Sequence, residues 1–218
     1  MTERRTRIVG LVLAAGRGER AGGPKALVKD ASGTPLAVVH VRALEAAGAA
    51  DVVLVIREDV ARQLGPALPW SARVVVSHEA DADGPAGSIR AARPSLDALA
   101  PTAIVISPVD KRAAPPALIA ALVAAVEGGA AAARPVHDGR GGHPVVVRPE
   151  VLAPYAVHDR PEGEVLAPLP PLRDVLHGLG RGERGVVDVP WTEEVLDDLD
   201  DPEALRRALG TPDSVGRH

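Results

Sequence analysis

Short, nearly continuous apolar runs alternate with longer Ala/Leu-rich amphipathic runs through the first half of the chain. That alternation predicts βαβ units around a parallel sheet. Ile8 to Leu13 reads as the first strand, and its almost unbroken apolar character implies burial on both faces. Thr34 as N-cap, with Pro35 in the first helical position, predicts a helix running to about Ala47 and stopped by Gly48. Val52 to Ile56, Arg73 to Ser77 and Ala103 to Ser107 read as the next three strands, with a short helix near Asp59 to Leu64. A helix is expected to start near Ala86 and to stop before Pro94. Another is expected from Pro115 to Val126, ended by Gly128 and Gly129.

The second half is less regular. Ala130 to Pro135 and Pro144 to Arg148 read as two strands separated by the Gly/His/Asp-rich turn His137 to His143. The proline-rich stretch Pro161 to Pro171 reads as an extended, mobile surface loop. It leads to a short helix at Pro171 to Leu179, a strand at Val186 to Val189 and a terminal helix at Asp201 to Leu209. No internal repeat and no long linker interrupts this series, so residues 1–210 are expected to form one domain and 211–218 a disordered tail.

Composition narrows the chemistry. Hydrophobic residues make up 46% of the 218 and aromatic residues only 1%, so the core must be built from Ala, Val, Leu and Ile. With no Phe, two Trp and one Tyr, the chain lacks the aromatic platforms on which single-stranded nucleic acid stacks. A net charge of -4 likewise disfavours a phosphate-backbone binder, so no nucleic-acid partner is expected. The absence of cysteine removes disulfides, thiolate metal sites and cysteine nucleophiles together. The apolar run Ile8 to Ala15 after Arg4 and Arg5 is cut short by Gly16, Arg17, Gly18, Glu19 and Arg20, which is too early for a secretion signal. No membrane-length apolar run occurs either, and a soluble cytoplasmic protein is the expectation.

The first strand ends in Leu13-Ala14-Ala15-Gly16 and continues through Arg17, Gly18 and Arg20 to Pro24-Lys25. Successive backbone N–H groups in such a turn form a concavity suited to phosphate oxygens. Gly16-x-Gly18-x-x-Ala21 fits the dinucleotide fingerprint superficially, but Gly22, Gly23 and Pro24 prevent the immediate helix. The first acidic residue after the second strand, Glu58, also lies 40 positions beyond Gly18, against about 20 in that motif. A P-loop fits worse, with Pro24 in place of the glycine before Lys25 and Ala26 in place of the metal-binding hydroxyl.

The same run, Leu13-Ala-Ala-Gly-x-Gly-x-Arg20 followed by glycines and Pro24-Lys25, resembles the signature of the MobA-like nucleotidyltransferases, which include molybdenum cofactor cytidylyltransferases. The resemblance implies an α/β, Rossmann-like three-layer fold with a mostly parallel, mixed central sheet. It also implies that Leu13, Ala14, Ala15, Gly16, Arg17 and Gly18 wrap an incoming nucleotide, while Arg20 and Lys25 neutralise its triphosphate. Three cations within nine residues, Arg17, Arg20 and Lys25, agree with that on a negatively charged chain.

Later segments extend the match. Ile104-Val-Ile-Ser-Pro-Val-Asp110 resembles the family's strand ending in proline-variable-aspartate, and a carboxylate there suits Mg²⁺, a hard cation held by one or two carboxylates plus substrate phosphates. Lys111 and Arg112 depart from the family, which follows this aspartate with glutamine or methionine and then proline. Three readings are open for them: binding acceptor phosphate, weakening metal binding, or pointing to solvent. Gly84 and Ser88 resemble the family's base- and ribose-contacting segment, and equally read as a capped helix start. Gly141-Gly142-His143-Pro144 resembles its glycine-histidine-proline strand entry, where His143 either meets the acceptor or is structural. Asp198, with Asp200 as substitute, resembles the second metal ligand, and the acidic run also reads as charge complementation ahead of a helix.

The implied reaction is transfer of a nucleoside monophosphate from an NTP to a phosphorylated small molecule, with Arg20, Lys25 and Asp110 as catalytic residues. The paired alanines 14 and 15 resemble the cytidylyl branch, favouring CTP over GTP, and molybdopterin is the acceptor the resemblance suggests. Sugar and polyol phosphates serve neighbouring branches. A non-catalytic nucleotide or cofactor carrier is the alternative of another class.

Overall fold

The computed structural model describes residues 6–19, 22–77, 80–157 and 168–199. The expected proline-rich loop falls mostly outside these residues, and the expected terminal helix Asp201 to Leu209 and the tail fall wholly outside them.

Strands β1 (Ile8–Leu13), β2 (Asp51–Ile56), β3 (Ala72–Val76) and β4 (Ala103–Pro108) alternate with helices α1 (Leu36–Ala46), α2 (Glu58–Leu64) and α3 (Ala80–Leu99). Helix α4 (Pro116–Glu127) leads to β5 (Ala132–His137), β6 (Arg140–Gly141) and β7 (Val145–Val147). Helix α5 (Leu172–Gly178) and β8 (Val186–Pro190) complete the described elements. The strands form one sheet in the order β3-β2-β1-β4-β7-β5-β6, with β8 paired to β5. β1 pairs in parallel with both β2 and β4, and β2 with β3. The sheet turns mixed where β7 runs antiparallel to β4 and β5.

Alternation along β1 divides the core into two layers, because successive strand side chains point to opposite faces. Val12 packs with Leu36, Val41 and Leu44 of α1 and Leu118 and Leu122 of α4, whereas Val9, Leu11 and Leu13 pack with Ile89, Ala92 and Leu96 of α3. Helices thus cover both faces of a mostly parallel sheet, the three-layer architecture that the resemblance implies. No helix among the described residues is long and apolar enough to cross a membrane.

Local chemistry explains most boundaries and two departures. Gly48 ends α1 at φ 88°, where its N–H bonds to the Glu45 carbonyl and that of Ala49 to the Leu44 carbonyl. At the other end Pro35, not Thr34, is the cap residue, at φ -59° and ψ 141°, and no side chain caps the helix. The Thr34 hydroxyl is engaged 2.8 Å from Ser32 Oγ, in a turn gathered by the Asp30 carboxylate. Pro94 does not stop α3, which continues to Leu99. Ile89, Ala92, Leu96 and Leu99 form a stripe at most 2% exposed. Burying it outweighs a proline's interior cost of about 3 kcal/mol.

Candidate active site

The chain turns back after β3 so that β4 lies on the other side of β1. The sequence-adjacent connections therefore leave β1 and β4 in opposite directions and open a crevice beyond their carboxyl ends, the usual ligand position in such sheets. Val109 N–H bonds to the Leu13 carbonyl at 3.0 Å and fixes the two strand ends together. A cleft of ≈ 390 Å³ opens there, within the usual range for small-molecule sites.

The expected nucleotide residues Leu13, Ala15, Gly16, Arg17, Gly18, Lys25, Gly84 and Ser88 line this one cleft together with Asp110. Ala14 does not line it: its methyl group lies in the opposite core layer with Val12, while its N–H bonds to the Val55 carbonyl at 2.9 Å. Arg20 and Asp200 lie outside the described residues. Glu19, Pro85, Pro108 and Val109, which the sequence did not single out, complete the lining.

Each wall has a local cause. Gly18 adopts φ +64°, and its carbonyl accepts a 3.0 Å bond from Gly23 N–H that closes the glycine loop. A Cβ on Gly18 would lie 1.9 Å from the Gly23 carbonyl oxygen, so only glycine fits. Lys25 follows in a short 3₁₀ turn (Lys25–Leu27) and is 8% exposed. Across the cleft, Gly84 kinks α3 with φ 55° and ψ -134°, and the buried Ser88 hydroxyl donates to its carbonyl at 3.5 Å.

Asp110 stands two residues beyond the end of β4. Burial pushes its carboxyl above the ordinary aspartate range, Lys111 and Lys25 pull it back, and Asp198 adds to the rise. The C-terminal segment returns to this point, as the resemblance implies: Leu199 N–H bonds to the Asp110 carbonyl at 2.8 Å, and residues 111 and 198 form an antiparallel bridge. The Asp198 carboxylate is nevertheless taken, since Lys111 Nζ donates to Oδ2 at 2.8 Å. Arg112 turns the same way, to Asp197 at 3.5 Å and Glu194 at 3.6 Å. Both cations thus pair with the acidic segment 194–198, Lys111 half-buried and Arg112 still exposed to solvent.

His143 lies beside this cluster. Its N–H bonds to the Val195 carbonyl at 3.2 Å, and its buried ring Nδ1 has no hydrogen-bond partner. Burial and Lys111 hold the ring neutral, with a pKa lowered to about 4 despite Asp198. It therefore carries no charge toward a phosphate at neutral pH. Among the described residues no group of three or more His, Cys, Asp or Glu could hold a metal alone.

One contributor escaped the sequence reading. His40 on α1 is fully buried, with Nδ1 2.8 Å from Ser107 Oγ and Nε2 3.1 Å from the Lys111 carbonyl oxygen. A carbonyl only accepts, so Nε2 carries the proton, Nδ1 accepts, and the Ser107 hydroxyl donates. His40 thereby ties α1 to both sides of Asp110. A signal was present: His40 sits four residues from Leu36 and from Leu44, a polar residue within an apolar helical stripe.

Comparison with known proteins agrees with the architecture. The family model for the MobA-like NTP transferase domain matches residues 10–171. Rv0371c from Mycobacterium tuberculosis H37Rv superposes with a TM-score of 0.70 at 24% identity, covering 94% of this chain and 99% of that one. Its manganese complex gives 0.69 at 22%, covering 95% and 100%. The 4-diphosphocytidyl-2C-methyl-D-erythritol synthase of Anaerococcus prevotii gives 0.68 at 14%, covering 94% and 95%. No curated protein matches the sequence.

Proposed function

The chain belongs to the MobA-like NTP transferase family, and on that premise we propose that it transfers a nucleoside monophosphate, CMP in preference to GMP, from its triphosphate to a phosphorylated small molecule. The observation that carries this reading is the convergence of the Gly16–Gly18 loop, Lys25 and Asp110 on one cleft at the β1/β4 switch point. An acceptor phosphate oxygen bonds to the α-phosphorus, the bond from that phosphorus to the bridging oxygen of the β-phosphate breaks, and pyrophosphate leaves. No covalent enzyme intermediate is required.

Catalysis then reduces to alignment and charge stabilisation. Backbone N–H groups of the loop cradle the phosphates. Lys25 and Arg20 neutralise them, Arg20 by resemblance alone. Gly84 and Ser88 border the part of the cleft where base and ribose would lie. The hard Asp110 carboxylate, in the same cleft as the glycine loop, fits Mg²⁺, which keeps few protein ligands and takes the rest from phosphate and water. Asp110 would hold it, and the ion would supply charge neutralisation on the triphosphate. The manganese complex of the Mycobacterium relative supports a divalent ion in this fold. The synthase neighbour and the paired alanines 14 and 15 support CTP. Molybdopterin is the acceptor favoured by the family resemblance, with sugar and polyol phosphates as the competing class.

Pyrophosphate release with CTP and GTP, across candidate acceptors and with or without Mg²⁺, tests the reading. Lys25→Ala and Asp110→Ala are each expected to abolish release, and near-normal turnover by either overturns the assignment. Metal-dependent CTP binding with no turnover on any acceptor would instead make the chain a nucleotide carrier.

A further inference from the structure

Gly84, Pro85 and Ser88 line one wall of the cleft, and an ion pair closes behind them. Arg90 Nη2 donates to Asp83 Oδ2 at 3.4 Å, so the pair spans all three lining residues while neither partner lines the cleft itself. Helix geometry separates the two roles, because side chains two positions apart leave a helix about 160° from one another. The Arg90 side chain is 10% exposed and that of Asp83 22%. Charges so far from water are costly to bury, and apolar residues of similar volume commonly replace such a pair with no loss of stability. A role in stability alone therefore does not account for it.

The kink between the partners supplies a reason. At Gly84 the helix breaks, with φ 55° and ψ -134°. Glycine takes such angles readily and many others besides, and no atom lies within 4 Å of the position a Cβ would occupy, so packing at that residue leaves the kink loose. Beyond the kink, Ala86, Ile89 and Ala92 are anchored in the core. Ahead of it, Asp83 is tied to that anchored helix by Arg90, and the Ser88 hydroxyl adds a weaker tie to the Gly84 carbonyl at 3.5 Å. We propose that Arg90 is a positioning residue for nucleotide recognition, which by holding Asp83 from behind the wall fixes the Gly84 kink and with it the surface offered to base and ribose. The inference rests on the nucleotidyltransferase reading above. It divides the ligand in two: the glycine loop and Lys25 meet the phosphates whether or not the kink is fixed, whereas base and ribose need it.

Calorimetry on the full chain with Mg²⁺, using CTP and inorganic tripolyphosphate in parallel, tests this without any turnover. Arg90→Met and Asp83→Asn are each expected to weaken CTP binding at least roughly tenfold through loss of a pre-organised surface. Each is expected to leave tripolyphosphate within about threefold of the natural chain. The double variant is expected to bind CTP no more weakly than Arg90→Met alone, because the two residues act as one unit. Unchanged CTP affinity in both single variants overturns the proposal, as does an equal loss for both ligands, which a general loosening of the fold would give. Additive losses in the double variant overturn it too, since each residue would then act on its own. Should Arg90→Met fail to fold, Asp83→Asn carries the same decision between the two ligands. If the natural chain binds neither ligand, the nucleotide reading itself falls and takes this inference with it.

Discussion

His40 Nδ1 lies 2.8 Å from Ser107 Oγ, 67 residues away, in a fully buried contact that joins helix α1 to the end of strand β4. The other ring nitrogen holds the Lys111 carbonyl. One imidazole thus brackets Asp110 from residues 107 and 111 and fixes the backbone that presents the carboxylate. Nδ1 accepts from the Ser107 hydroxyl only in the neutral ring, and burial lowers the pKa from 6.5 to about 4 although the Lys111 carbonyl favours the proton.

That shift makes stability depend on pH in a defined window. Above pH 6.5 the ring is neutral in both folded and unfolded chains and contributes no dependence. Between 6.5 and about 4 the unfolded chain takes up the proton and the folded chain does not, so stability falls as pH falls. The loss from His40 reaches roughly 3 kcal/mol near pH 4. His143, lowered similarly, adds in the same direction. His40→Leu is expected to be less stable at pH 7, by about 1–3 kcal/mol for each polar group left unsatisfied, and to show a shallower pH slope. Denaturant melts from pH 7.5 to 4.5 decide it, and an unchanged slope in the variant would contradict the neutral-ring assignment.

Gly18→Ala is expected to destroy the loop while sparing the fold. The added Cβ would meet the Gly23 carbonyl at 1.9 Å, and φ +64° is strained for alanine by about 1–2 kcal/mol. The loop must reshape and release the 3.0 Å bond from Gly23 N–H. Calorimetry with CTP is expected to show at least roughly tenfold weaker binding, equivalent to 1.4 kcal/mol, with the thermal midpoint changed by only a few degrees. Gly16→Ala separates the causes. No atom lies within 4 Å of a Cβ there, so a loss in that variant reports ligand contact and not loop collapse.

Local signals account for what the sequence made legible. The unbroken apolar run of β1, the glycine stops at 48 and 128, and the loop from Leu13 to Lys25 each depend on neighbours a few residues away. The fate of Pro94 did not, because a stripe packed on the sheet decided it against the proline's own preference. Nor did the roles of Lys111 and Arg112. Their partners lie more than 80 residues downstream, and only the return of the C-terminal segment to Asp110 brings those carboxylates within reach. Asp110 was readable from its place after a strand. The His40 contact that holds its backbone required knowing which helix packs beside β4.

Gly142→Ala tests whether the C-terminal segment is seated by backbone fit. A Cβ at 142 would lie 2.3 Å from the Val195 carbonyl oxygen and 2.8 Å from its Cβ, so that strand entry and segment cannot both keep their places. Overpacking of this kind typically costs 1–3 kcal/mol, about the value expected here. Hydrogen exchange provides the local readout. The His143 and Leu199 amides, bonded to the Val195 and Asp110 carbonyls, are expected to lose protection together, while β1 amides keep theirs. Loss at His143 alone would mean that the segment is held independently at Asp110.

Arg112→Ala provides the contrast with Lys111. Both cations face the same acidic segment, but Arg112 reaches Glu194 and Asp197 at 3.5–3.6 Å with its side chain 42% exposed and its partners 56% and 38% exposed. Water competes for all three groups, and exposed pairs of this kind are worth about 0–1 kcal/mol. The variant is expected to lose no more than that, with the difference shrinking further at 0.5 M salt, where screening shortens to a few ångströms. Lys111 differs because its contact is shorter, it is half as exposed, and its partner residue is bridged to its own backbone. Denaturant melts of Arg112→Ala at low and high salt check the point. A loss well above 1 kcal/mol that survives high salt would show that Arg112, and not Lys111, is the main fastening of the C-terminal segment.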